Sequence, residues 1–335
     1  MRAVVTGSSG FLGGAVARSL AEAGYAVTGL DLREPPPSAR GLWRHVTADL
    51  AEAGAWTREV AGADAVIHAA ARVGDRGTPE AFRRANVDAT RHVVRASGGA
   101  GRLVHVSSVV VHGSRFPNPC PEEHPPRPTG NPYTDTKIAA EHAVLRAHAA
   151  GEVRAGEVRA VVVRPGDVYG PRSEPWTLRP VRMMRAGQFV LVRGGVLSPV
   201  FASDVVRGIV LAATAPEAPP GGASGVEVGV FHLAGGVGVA PEAFFGHYAR
   251  MLGVRLRSVS LRTARAAALA LEAGAGLVRR EPPFSRRTLE YVTHPGTYAI
   301  GRAREALGWA PRVPLAEGMR RTEAWLRSEG HLPPA

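Results

Sequence analysis

Of the 41 lysine and arginine side chains in this 335-residue chain, one is lysine: Lys137, four residues after Tyr133. Residues i and i+4 of a helix share a face, so the ammonium is expected to lie beside the phenol. The chain writes every other cation as arginine, whose planar fork effectively never deprotonates; lysine is a compact point charge with a movable pKa. A cation beside a phenol favours the phenolate and draws its pKa down from about 10. A phenol so placed can serve as a general acid–base group. The expectation is a catalytic tyrosine held partly ionised by one amine.

A second run carries different chemistry. Val4-Val5-Thr6-Gly7-Ser8-Ser9-Gly10-Phe11-Leu12-Gly13 reads as strand, glycine-rich turn and helix. Glycines let the backbone approach a pyrophosphate, and the helix N-terminus adds free N–H groups and a positive dipole end. The spacing is Gly-x-x-Gly-x-x-Gly, looser than the Gly-x-Gly-x-x-Gly fingerprint. Asp31 follows Gly13 by 18 residues, at the end of the next strand. A carboxylate there accepts hydrogen bonds from ribose hydroxyls and repels a 2′-phosphate, which favours NAD. Arg33, two residues on, softens that repulsion and leaves NADP open.

These groups need a scaffold, and the first half of the chain alternates strand and helix patterns. Strands are expected at Arg2–Thr6, Tyr25–Leu30, Asp64–His68, Arg102–Ser107 and Arg159–Arg164, and helices at Phe11–Ala23, Pro79–Ser97 and Pro132–Ala150. Alternation with continuously apolar strands argues for a parallel sheet covered on both faces. The fold expected is α/β, a doubly wound Rossmann-type sheet with a smaller, mainly helical C-terminal substrate domain. Residues 1–164 with about 199–236 would form the first domain, and about 165–198 with 237–335 the second. Pro117–Pro132 and Pro216–Gly225 read as loops, and the repeated GEVRA at 151–160 as a duplication in a surface connection. Thr263–Val278, rich in Ala and Leu, reads as a packed helix in preference to a hydrophobic lip at a substrate mouth.

Composition narrows the function classes. No run approaches 18 apolar residues, so no membrane span is expected. The start does not read as a signal peptide, and a single cysteine, Cys120, rules out an internal disulfide. The expected compartment is the cytoplasm. No metal is expected. The net charge of +12 raises nucleic acid as a partner. The arginines, however, are scattered without basic tracts, and an anionic cofactor accounts for the balance as well. A small molecule is the expected partner.

The glycine turn, Asp31 and the Tyr133–Lys137 pair together resemble the extended short-chain dehydrogenase/reductase family. That family includes NAD-dependent epimerases and dehydratases, 3β-hydroxysteroid dehydrogenases and dihydroflavonol-type reductases. Matching segments run nearly end to end: Thr6–Gly13, Val66–Ala71, Asn86–Thr90, Val106–Ser108, Tyr133–Lys137, Arg164–Pro171, Phe201–Val205 and Ala303–Pro311. The resemblance implies Tyr133 as acid/base, Lys137 as its partner and ribose ligand, and Ser108 as the catalytic hydroxyl. It places the cofactor against Gly7, Ser9, Gly10, Phe11, Leu12 and Gly13, and against Asp31 and Arg33. It adds Asp49 and Leu50 at the adenine, Ala69, Ala70 and Ala71 alongside, and Asn86, Ser107, Pro165, Gly166 and Val168 toward the nicotinamide. Substrate would meet Val73, Ser108, Asp167, Trp176 and Pro199. His68 and His112 read as structural. A homodimer through two helices, the Tyr133 helix among them, is also implied.

The same triad serves net redox enzymes and sugar-nucleotide epimerases or dehydratases. The sugar-nucleotide pattern has Asn where this chain has Asp167, and an Arg-Asp-Phe-like run where it has Leu197–Val200. Phe284–Val292 is similar to the tail of the steroid dehydrogenase and flavonol reductase branch. The expected substrate is therefore an alcohol or ketone of a largely apolar molecule. Arg172, Arg179, Arg286 and Arg287 keep a sugar diphosphate as the alternative.

Overall fold

The computed structural model describes residues 1–74, 77–149, 159–215, 229–277, 289–290, 293–294 and 296–332. Strand β1 (Arg2–Thr6) turns through the glycines into helix α1 (Phe11–Glu22), and β2 (Ala26–Asp31) and β3 (Arg44–Thr47) follow on one side of β1. After the short α2 (Thr57–Val60), β4 (Ala65–His68) takes the other side. Helices α3 (Pro79–Phe82) and α4 (Ala89–Ala96), joined by a π-turn at Arg83–Asp88, lead to β5 (Arg102–Val106). Helix α5 (Pro132–Ala149) then leads to β6 (Arg159–Pro165).

The chain next leaves the sheet through β7 (Asp167–Tyr169), α6 (Arg179–Arg185), β8 (Leu191–Val192) and β9 (Pro199–Phe201). Helix α7 (Ala202–Thr214) and β10 (Gly229–Leu233) return to it. The remainder is α8 (Pro241–Leu252), β11 (Ser258–Val259), α9 (Leu261–Leu277), α10 (Gly301–Leu307) and α11 (Leu315–Ser328).

Among the described residues the main sheet has seven strands, all parallel, in the order β10-β6-β5-β4-β1-β2-β3. Strand order reverses between β1 and β4, the point where open α/β sheets take ligands. Side chains of α1 and α7, among them Val16, Leu20, Val205 and Ile209, cover one face. Those of α4 and α5, such as Val93 and Val144, cover the other. A third core joins β7, β9, α6, α8 and α11 through Tyr169, Phe201, Val181, Phe244, Tyr248 and Met319. Tyr169 meets Phe201 and Phe244 edge-on, each with ring centroids 5.4 Å apart.

The strand–helix alternation expected from the sequence is present. β3 was not expected: three of its four residues are polar, and it pairs with β2 at the edge of the sheet. The helix expected over Thr263–Val278 forms as α9. Ala264 and Ala268 are buried beside the partly buried Leu261, while Leu269 and Leu271 are exposed. No described helix is long and apolar enough to cross a membrane. Residues 151–158 of the GEVRA repeat, the Pro216–Gly225 loop and most of Phe284–Val292, including Arg286 and Arg287, lie outside the described residues.

Candidate active site

The first wall of the site is the turn after β1. Gly7 has φ +69°, and a Cβ there would stand 2.8 Å from the Ala70 backbone. A Cβ on Gly13 would stand 2.2 Å from the Gly7 carbonyl. Only glycine allows this approach between the β1 and β4 turns. Gly10 caps α1 with no side-chain hydrogen bond, so no side chain occupies the first-turn N–H groups left over by the helix. At the end of β2, Asp31 is buried. Its two oxygens accept from the Ser9 and Arg33 N–H groups, each at 3.0 Å. Ser9 Oγ donates to the Arg33 carbonyl at 2.6 Å, and the Arg33 guanidinium lies 3.9 Å from Asp31, largely in solvent. A tight backbone cradle, an uncapped helix start and a preorganised carboxylate fit a dinucleotide without a 2′-phosphate.

Two of the residues expected at the cofactor are held by partners within the protein. Asp49 is held by Arg84 at 2.5 Å and accepts from Ala51 N–H at 2.9 Å. Asn86 accepts from Arg72 N–H at 2.7 Å and donates to the Arg72 carbonyl at 3.1 Å and to Thr136 Oγ1 at 3.0 Å. It pins the loop after Ala69–Ala71 to α5. Leu50 is buried, and Val73 is exposed on that loop.

Tyr133, Lys137 and Ser108 come together between β5 and α5. Asn131 Oδ1 accepts from the Tyr133 and Thr134 N–H groups at 2.9 and 3.3 Å, which starts α5. Ser108 Oγ accepts from Val110 N–H at 3.3 Å and is hydrogen-bonded to the Tyr133 hydroxyl. Lys137 is 3% exposed and donates from Nζ to the Val106 carbonyl at 2.6 Å.

The electrostatics correct the expectation of a phenol ionised by its lysine. Burial pushes the Tyr133 pKa up to about 12, and the Ser108 hydrogen bond acts against it. Burial lowers the Lys137 pKa to about 8, opposed by Glu141. The physical reason is the desolvation of both groups, with the ammonium turned to a backbone carbonyl. In the protein alone Tyr133 is a neutral phenol.

Ser107 Oγ is turned to α5. It donates to Glu141 Oε2 at 2.8 Å. Glu141 pairs with Arg164, whose Nη1 also donates to the Glu122 carbonyl at 2.8 Å. Sequence reasoning missed Glu141 and Arg164; the available signal was a glutamate four residues past Lys137, on the same helix stripe as Tyr133 and Lys137. His68 bridges Thr6 and Thr90 at 2.8 and 2.9 Å, and burial holds its pKa down at about 3, a structural part. His112 contacts His232 at 2.9 Å inside the protein.

The opposite wall follows β6. Pro165 ends the strand, and Gly166 N–H donates to Leu233 at 3.0 Å. Val168 is buried, and Asp167 accepts from Ser198 N–H at 2.7 Å and is itself buried. Asp167 is thus an internal strut tying β7 to the residues before Pro199, so its charge does not exclude a sugar diphosphate. Trp176 packs on Phe244 and Phe245, with centroids 6.1 and 6.3 Å away. Arg172, at φ +67°, donates to the Ser9 carbonyl of the glycine turn at 3.2 Å.

This cradle and triad define a nucleotide-dependent enzyme of the doubly wound type. Residues 3–228 match the NAD dependent epimerase/dehydratase family. The chain is 29% identical to the 2-alkyl-3-oxoalkanoate reductase of Stenotrophomonas maltophilia (strain K279a), over 97% of this chain and 99% of that protein. It is 31% identical, over 95% of each chain, to the 4-hydroxy-2-methyl-3-oxo-4-farnesyl-3,4-dihydroquinoline-1-oxide ketoreductase of Stigmatella aurantiaca. Among solved structures it is similar to MoeE5 in complex with UDP-glucuronic acid and NAD, at TM-score 0.76 and 25% identity over 98% of this chain and 100% of that one. The chain belongs to the NAD-dependent epimerase/dehydratase family, within the extended short-chain dehydrogenases/reductases. It is an NAD-dependent oxidoreductase.

Proposed function

We propose that the protein reduces the ketone of a small, largely apolar molecule to a secondary alcohol, with Tyr133 as the proton donor. The observation that carries this reading is the Tyr133 hydroxyl bonded to Ser108, on the helix that carries the buried Lys137. A phenol bonded to the Ser108 hydroxyl at the end of β5 is placed to donate to a carbonyl oxygen that is becoming an alkoxide. Ser108 donates a hydrogen bond to the substrate oxygen, and Tyr133 delivers the proton. Lys137 is a positive charge near that oxygen and lies within reach of a ribose. Bound NADH supplies the hydride. The glycine turn and Asp31 hold the cofactor, while Pro165, Gly166 and Val168 bound its reactive end. Residues 1–164 with about 199–236 form the cofactor half, and about 165–198 with 237–335 frame the substrate.

The substrate class rests on the relatives. One is named for 3-oxoalkanoates and another for a farnesyl quinoline, both reduced at a ketone on a hydrophobic body. The second reading, a nucleotide-sugar epimerase or dehydratase, draws on the likeness to MoeE5 with UDP-glucuronic acid. The test is NADH oxidation across a panel of β-keto acids, aliphatic ketones and nucleotide sugars. Stoichiometric NADH loss with ketones supports the reduction; conversion of a nucleotide sugar without net NADH change replaces it with the second reading. We also read the protein as a cytoplasmic homodimer that pairs through two helices, α5 among them. Light scattering on the eluting protein tests that assembly.

A further inference from the structure

We propose that Glu141 is a positioning residue that sets where all three members of the triad stand, an inference that rests on the function proposed above. The end of β5 and one face of α5 are joined by three successive contacts. Val106 takes the Lys137 ammonium at 2.6 Å, Ser107 donates to Glu141 at 2.8 Å, and Ser108 bonds the Tyr133 hydroxyl. On the helix these partners are Tyr133, Lys137 and Glu141, spaced by four residues along one stripe. Glu141 makes the middle contact and also reaches a third element. Its Oε2 also accepts from Arg164 Nε on β6 at 3.1 Å, and its Oε1 accepts from Arg164 Nη2. One fully buried carboxylate therefore locks β5, α5 and β6 together directly behind the reacting residues.

Its charge acts on the triad as well. The groups facing Lys137 are Glu141 and Tyr133 on its own helix, His105 on β5 and His68 on β4. Burial and the Lys137 charge itself hold both histidines neutral. Those facing Glu141 are Lys137, Ser107 and Arg164, with His112 and the Glu122 carbonyl beyond Arg164. Glu141 is thus the one anion named here that opposes the desolvation of Lys137. A merely structural ion pair would stabilise the fold and leave the lysine's titration alone.

The chain's single lysine allows a direct test. Protein labelled with [13Cε]lysine gives one lysine resonance, whose pH titration reports Lys137 without cofactor or substrate. In wild type the midpoint is expected near 8. Glu141→Gln keeps the shape and the Ser107 acceptor but removes the charge. It is expected to lower the midpoint by about one pH unit or more and to lower kcat about tenfold or more, with the NADH dissociation constant held within about threefold. The alkaline limb of the rate profile should move down with the lysine, and Glu141→Asp should restore part of both. An unmoved lysine midpoint, or unchanged kcat with a shifted one, overturns the proposal. Should Glu141→Gln fail to fold, Ser107→Ala tests the contact while keeping both charges of the Glu141–Arg164 pair. It is expected to lower kcat at unchanged NADH affinity, and an unaltered kcat overturns the positioning role. If wild type reduced no ketone, the titration would still judge Glu141, so the two readings fail separately.

Discussion

Replacing Lys137 by methionine should make the protein more stable at neutral pH while disabling it. The ammonium is almost fully buried, and burial lowers its pKa from the usual 10.5 to about 8. At about 1.4 kcal/mol per tenfold in proton affinity, keeping that cation folded costs about 3 kcal/mol. Methionine has similar length and no charge. Its cost is the hydrogen bond to the Val106 carbonyl, and a buried carbonyl left unpaired loses about 1–3 kcal/mol. The balance at pH 7 is a gain of about 0–2 kcal/mol, and the pH dependence is the sharper test. The folded midpoint lies below the unfolded one, so wild type carries the full penalty below about pH 8 and sheds it as pH rises toward 10.5. The advantage of Lys137→Met should therefore shrink by about 3 kcal/mol across that window, in urea denaturation of both proteins at matched pH values. Other titrating groups are common to both and cancel. A difference that stays flat with pH, or that grows toward pH 10.5, refutes the reasoning about desolvation.

Tyr133→Phe should lower kcat by about 10²–10⁴-fold with NADH affinity retained, since the ring stays and the proton donor goes; steady-state kinetics beside a fluorescence titration check both halves. Asp31→Ser removes the acceptor that organises the Ser9 and Arg33 N–H groups. It should weaken NAD about tenfold or more and narrow the gap to NADP, measured by calorimetric titration of both cofactors. Trp309 is fully enclosed and donates to the Asp204 carbonyl at 2.8 Å. Trp309→Ala should cost about 3–5 kcal/mol in urea denaturation, with the kcat of the folded fraction within about threefold of wild type.

The parts of the site legible in the sequence were those carried by local spacing. The glycine turn, Asp31 after the second strand, and the tyrosine and lysine one helical turn apart each sit within one or two elements. What escaped depended on contacts between distant segments. Ser107 finds Glu141 34 residues away, and Glu141 finds Arg164 23 residues away. Such pairs exist only once β5, α5 and β6 are packed. The direction of the Tyr133 shift was misread for the same reason: adjacency on a helix was visible, but the depth of burial was not. Asp167 looked like a substrate-facing charge until the fold turned it onto Ser198 N–H. β3 was missed because an edge strand needs little apolar character, and the π-turn around Asn86 because no sequence period marks one.

The measurement that bears most directly on the central claim is the fate of a labelled hydride. With NADH carrying two deuteriums at C4 and a ketone substrate, one deuterium should appear on the carbinol carbon for each NADH oxidised, and Tyr133→Phe should slow the transfer by about 10²–10⁴-fold. A cofactor that keeps its label while a nucleotide sugar is interconverted at the same site would contradict the assignment of net ketone reduction.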